Sequence, residues 1–165
     1  MLVTIHQPQF MPWLGYFDKM DQADLFVRLD TVQQKKNEWQ NRNGLKIAQG
    51  PQWLTVPVRF RFPARIDEVV VNDDAPWRHK HKQALVTNCR RAPWEAEEAS
   101  LDALYAETGT LLRDINGVTI DWLSSRLRID TENRWASDLP ITEQEPCVAF
   151  REIACRSGYD SPWLK

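Results

Sequence analysis

The residues best suited to chemistry stand close to the start of the chain, in the run His6-Gln7-Pro8-Gln9-Phe10-Met11-Pro12. A neutral imidazole takes or gives a proton near physiological pH, and a carboxamide donates and accepts at once. Together they suit a catalytic pair in which His6 acts as general base on an incoming hydroxyl or amine and Gln7 orients it. A second polar group follows at Asp30, Gln33, Lys35, Lys36, Asn41 and Arg42. There a point charge, a directional amide and a bidentate guanidinium fork suit an anionic donor. Trp13 and Tyr16 offer rings that serve either a core or a flat ligand, and His81 reads either as a satisfied packing residue or as a site member. His79 and His81 stand two apart, so on a helix they point to different sides and no metal site is expected.

These residues need elements to hold them. Leu2, Val3 and Ile5 read as a short buried strand and Pro12 as a first helical position, which leaves His6, Gln7 and Gln9 in the connection. Trp13, Leu14, Phe17 and Met20 follow helical spacing toward a core. Gly15 among them predicts a close approach by another backbone or a ligand. Leu25, Phe26, Val27 and Leu29 make a second strand ending at Asp30, and strand, helix, strand in that order predicts a parallel unit. Asp30 and the Gln33 to Arg42 loop are then expected along the same sheet edge as His6, where open α/β folds bind ligands beside a helix N-terminus.

Thr31 to Arg42 shows neither period and reads as a functional loop or a frayed helix. Leu45 to Ile47 and Trp53 to Val58, around Gln49, Gly50 and Pro51, predict a β-hairpin with Pro57 at an edge or strand end. The basic and aromatic stretch from Arg59 to Arg65 reads as an exposed loop or ribbon, and Ile66 to Val71 as a strand. From Pro76 the pattern turns helical: a helix to about Arg91 with Asp73 or Asp74 as cap, another from Pro93 to Glu107, and a third from Leu111 to Leu123. Leu127 to Asp130 is expected as a short strand, and Glu145 to Arg156 as a last helix ended by Gly158. The expected class is α/β: a strand-helix-strand unit with a mainly parallel sheet and a hairpin over 1–75, then a helical half over 76–165 packed on it as one domain.

Composition sets outer limits. A chain of 165 residues is long enough for one domain that buries roughly two-thirds of its unfolded surface. With 21 basic against 23 acidic residues no global field draws it to nucleic acid, and no apolar run is long enough for membrane insertion. The three cysteines, Cys89, Cys147 and Cys155, are odd in number and widely spaced, which predicts buried thiols rather than a disulfide scaffold. A cytoplasmic setting is expected. No glycine-rich phosphate loop, nucleophile elbow or metal-ligand pair is present, and no pattern specifies a cofactor.

The run His6-Gln7-Pro8 with Pro12 to Lys19, then Asp24 to Asp30, Val32-Gln33, Lys36, Asn41 and Arg42, then Trp53 to Val58, closely resembles the WbqC-like family. Weaker agreement continues through Trp77, His81 and Ala92-Pro93-Trp94. The resemblance implies a setting in bacterial O-antigen, other surface-polysaccharide or specialised-metabolite biosynthesis. Family members generally run some tens of residues beyond the point matching Gly158-Tyr159, so the resemblance implies a shortened C-terminus here. They also tend to carry a glycine where this chain has Arg128. The expected function is a transferase acting on a small molecule activated as a nucleotide or thioester, with an acyl or sugar donor. A nucleotidylyltransferase-like enzyme, or a non-catalytic module that holds a pathway protein partner, are the alternatives.

Overall fold

A computed structural model of the protein describes residues 2–89, 94–106 and 109–140. Its first elements are strand β1 (Val3–His6), helix α1 (Leu14–Asp21) and strand β2 (Leu25–Arg28). All four residues of β2 are buried, which is why Leu25-Phe26-Val27 reads as a continuous apolar run. β2 is the middle strand of a three-stranded parallel sheet in the order β1-β2-β7, with β7 at Glu132–Trp135. His6, Arg28 and Trp135 share one register, so the three strands end level with one another. The α/β class and the parallel strand-helix-strand unit are as expected.

The two faces of β2 go to different clusters. Phe26 packs with Tyr16, Phe17 and Met20 of α1 and with Ile120, whereas Leu25, Val27 and Leu29 join Ala136. Burial of these side chains contributes roughly 1.5–3 kcal/mol each, and it is the main force holding α1 against the sheet. The helix starts later than Pro12. Trp13 keeps an extended backbone (ψ 161) as its N-cap, and Trp13 and Leu14 are exposed rather than facing the core. The close approach expected at Gly15 comes from the Trp13 ring, which lies where a Cβ would stand.

The hairpin is β3 (Arg42–Ile47) against β4 (Gly50–Thr55), with Gly50 at φ 121. Its turn sits at Ala48 and Gln49, so Gly50 and Pro51 belong to the strand. β5 (Val58–Arg59) pairs with β6 (Val70–Val71). Ile66 to Val71 is thus not one strand: Ile66–Glu68 forms a 3-10 turn before β6. Helices α2 (Trp77–Asn88), α3 (Trp94–Ala106) and α4 (Leu112–Leu127) follow. Asp73 does not cap α2 but accepts from the Trp77 indole N–H at 2.9 Å. Where Leu127 to Asp130 was expected to be a strand, α4 ends on Arg128 in the left-handed conformation (φ 57), and Ile129 N donates to Ser124 O at 3.0 Å. The strand comes later, as β7, so the second half of the chain completes the sheet of the first. The expected last helix, Pro93, Cys147 and Cys155 lie outside the described residues. Among the described residues no helix is long and apolar enough to cross a membrane.

Candidate functional site

At the carboxyl ends of β1 and β2 the surface opens into a cleft of about 520 Å³, lined by Ile5, His6, Gln7, Leu29, Val32, Gln33 and Lys35. Its size falls in the range of roughly 300–1,000 Å³ usual for ligand pockets. His6 is the last residue of β1, so the sheet itself fixes its backbone. Its Nδ1 lies 2.9 Å from the Gln7 carbonyl oxygen. A carbonyl only accepts, so Nδ1 carries the proton of that bond and Nε2 is left as the basic nitrogen. The Tyr16 ring meets the imidazole edge-on at 5.0 Å between centroids. Burial pushes the His6 pKa below the usual value, partly offset by the Gln7 carbonyl, and Lys19 lowers it further. The imidazole is therefore neutral at pH 7 and ready to take a proton.

Gln7 is held just as firmly. Its Oε1 accepts from Gln40 Nε2 at 2.9 Å, and Gln40 Oε1 in turn accepts from Lys35 N at 2.8 Å. With its oxygen engaged, Gln7 presents its amide N–H groups as donors. Phe10 N donates to Trp39 O at 3.1 Å, Asn43 donates to Met11 O, and Asn116 of α4 donates to Gln40 O at 2.9 Å. The Gln7–Gln40 and Phe10–Trp39 bonds stitch the turn after β1 to residues 31–41, which form a loop and not a helix, while Asn43 ties that turn to β3 and Asn116 ties the loop to α4.

The structure thus brings His6, Gln7, Gln33 and Lys35 together and places the other candidates elsewhere. Lys36 is exposed on the loop but does not line the cleft; its neighbour Lys35 does. Asp30 turns inward, fully buried. Ser137 donates to it through its amide at 3.0 Å and its hydroxyl at 2.7 Å, and Arg113 pairs with it at 3.0 Å. Burial pushes the Asp30 pKa up while Ser137 and Arg113 hold it down, so this carboxylate locks β2 to α4 and the end of β7. Asn41 is buried and donates to Val56 O at 3.0 Å. Arg42 lies over the Trp53 ring at 4.3 Å, on the hairpin. Tyr16 is wholly buried beneath His6, so it is a support and not a stacking surface, and burial raises its pKa. Trp13 is exposed over Gly15, and no residue of α1 lines the cleft, so the helix N-terminus supplies none of its wall.

His81 sits in an aromatic box of Phe10, Trp77 and Tyr105. Its Nε2 bonds the Thr55 carbonyl at 3.1 Å and its Nδ1 faces Tyr105 Oη at 3.4 Å. Burial lowers its pKa to about 4, against a smaller raising effect of the Thr55 carbonyl. Gln40 and Asn116 escaped the sequence reading. Lys35 was visible as one of two adjacent lysines, but nothing local marks Gln40 or Asn116 as the residues that brace Gln7. Among the described residues no group of three or more His, Cys, Asp or Glu side chains is placed to hold a metal ion.

The geometry defines a small α/β protein with a ligand-sized cleft at the strand ends of a parallel sheet, fronted by a neutral histidine. The WbqC-like protein family model matches residues 7–157, and the chain belongs to that family. Among curated proteins it is similar to the uncharacterized protein Rv1507c of Mycobacterium tuberculosis, with 38% identity over 165 residues that cover 96% of this chain and 71% of the relative. No solved structure matches it.

Proposed function

We propose that the protein is a transferase that moves an acyl or glycosyl group from an activated small molecule to a hydroxyl or amine, in bacterial surface-polysaccharide or specialised-metabolite biosynthesis. The observation that carries this reading is the shared wall of His6, Gln7, Gln33 and Lys35 around one cleft. Lys35 holds the anionic part of the donor. His6 Nε2 takes the proton from the acceptor as its oxygen or nitrogen bonds to the donor carbon and the leaving group departs. Gln7, its oxygen already occupied by Gln40, donates an N–H to the oxygen on which negative charge builds. Family membership supports the biosynthetic setting.

A thermal-shift screen of nucleotides, nucleotide sugars and coenzyme A thioesters tests the donor. One class is expected to stabilise the wild type, with Lys35→Ala losing most of that shift and Lys36→Ala keeping it. Equal responses from the two lysine variants, or silence toward all three classes, overturn the assignment of the cleft.

A further inference from the structure

In the hairpin, Pro51 decides which backbone groups face β3 and which face away. Proline has no N–H, so the Lys46–Pro51 pair exchanges no hydrogen bonds, and the pattern alternates from there. Gly50, Gln52 and Leu54 therefore bond to β3, while Pro51, Trp53 and Thr55 turn their backbone groups outward. Thr55 agrees with this parity, because its carbonyl accepts from His81 on α2. That leaves the Trp53 N–H, the Trp53 C=O and the Thr55 N–H in a line on the outer edge of β4, with no partner among the described residues. On the opposite edge the outward Gly44 N–H is already capped by the Asn43 side chain at 2.7 Å. An edge whose backbone groups have no partner among the described residues is a place for an added chain.

This open edge lines a second cleft of about 340 Å³ between β4 and α2, with Pro57, Ala75 and Trp77 as an apolar wall and Lys80 beside them. Lys80 is exposed and belongs to no ion pair of the described residues, whereas Lys82, two residues on, is taken by Glu98 and Asp102. We propose that this edge is a second ligand site, for an extended chain with two secondary amides that ends in a phosphate, the chemistry of a phosphopantetheine arm. A trans amide turns only one of its two groups to a given edge, so one amide offers its C=O to the Trp53 N–H and the other its N–H to the Trp53 C=O, while the arm's hydroxyl accepts from the Thr55 N–H. The branched aliphatic part rests on the apolar wall and the phosphate reaches Lys80. The volume sits near the low end for ligand pockets, roughly 300–1,000 Å³, which fits a narrow arm. Phe10, in the turn that follows His6, packs on His81 at 5.5 Å, so one residue closes this edge and also braces that turn. The inference goes beyond the transferase reading, since this edge and the Lys35 cleft share no lining residue.

The test is backbone-amide NMR of the full chain titrated with 4′-phosphopantetheine. Saturable shifts are expected at the Trp53 and Thr55 amides. Removing the phosphate from the probe, or Lys80→Gln, should weaken binding about tenfold, the loss of one charge-assisted contact. Trp53→Pro removes the outward N–H while sparing the bonds to β3, as Pro51 already does, and should abolish binding; Trp53→Phe should retain it. Unmoved Trp53 and Thr55 amides overturn the proposal, as does an equal response to inorganic phosphate alone. An equal response to N-acetyl-dialanine would mark the edge as a general peptide site and overturn the arm. If Trp53→Pro does not fold, the amide shifts and Lys80→Gln decide. Binding is read without turnover, so responding amides beside an inactive His6 cleft would sink the transferase reading and leave the amide-arm site standing.

Discussion

His6 and His81 are both removed from water, both lose proton affinity by it, and are put to opposite uses. His81 has Thr55 O against one ring nitrogen, Tyr105 Oη against the other and three aromatic rings around it. Nothing is left over for a substrate. Among the described residues His6 has only its Nδ1 hydrogen-bonded, by its own neighbour's carbonyl, and it lines a cleft. The difference teaches that a depressed histidine pKa marks burial, and that a spare nitrogen facing open space is what separates a base from a bolt.

The largest expected effect breaks the pair apart. His6→Gln should lower transfer of the donor found by the thermal-shift screen by roughly 10²–10⁴-fold, the usual span for a general base, with little change in melting temperature. His81→Gln should do the reverse, costing about 2–4 kcal/mol of stability by emptying a ring-sized space in a buried cluster. Steady-state kinetics beside chemical denaturation would separate them. A His6→Gln enzyme with undiminished turnover, or a His81→Gln protein as stable as the wild type, collapses the contrast.

A second, smaller effect follows from His81 alone. Its pKa is about 4 in the folded protein against 6.5 unfolded. Between those values the unfolded chain binds the proton and the folded chain does not, so stability rises with pH across that window and falls on acidification. The full span is worth roughly 3 kcal/mol, since each pH unit of difference corresponds to about 1.4 kcal/mol. Denaturant midpoints measured from pH 4 to 7 should show this slope in the wild type and lack it in His81→Gln. An unchanged slope in the variant would assign the acid loss to other groups.

Much of the frame was legible because it rests on local pattern. The run at Leu25 to Leu29 and the two arms of the hairpin each carry their reason within a few residues, whereas Pro12 set the start of α1 too early and Gly50 proved to belong to β4 and not to the turn. The site was half legible. His6 and Gln7 could be placed by the strand they end, and the link between their turn and the Gln33 to Arg42 loop is present in the bonds from Gln40 and Trp39. Asp30 could not be resolved from sequence, since what makes it a lock is Ser137 and Arg113, far along the chain. β7 was hidden for a related reason. Its first three residues are exposed, and as an edge strand it needs no apolar run, so only the pairing with β2 identifies it. Trp13 and Leu14 misled because their spacing is helical while their positions, at the cap and the start of α1, lie beyond the buried stripe.

The smallest expected effect sits at Arg128, where the WbqC-like resemblance pointed to glycine. The residue closes α4 at φ 57 and ψ 43, and its own N–H donates to Ser125 O at 3.3 Å. In that left-handed geometry a side chain crowds the following carbonyl at a cost of roughly 1–2 kcal/mol, which glycine avoids. Glycine gives part of this back through the greater freedom of the unfolded chain, so Arg128→Gly should raise stability by about 0.5–1 kcal/mol. The substitution touches neither histidine. Placed in the wild type, in His6→Gln and in His81→Gln, it should add the same increment each time and leave the acid slope and the transfer rate where they were, because distant and independent sites add. An increment that changed only in the His81→Gln background would show that the aromatic box and the end of α4 unfold as a coupled unit, and the stability difference assigned to His81 would then belong to both.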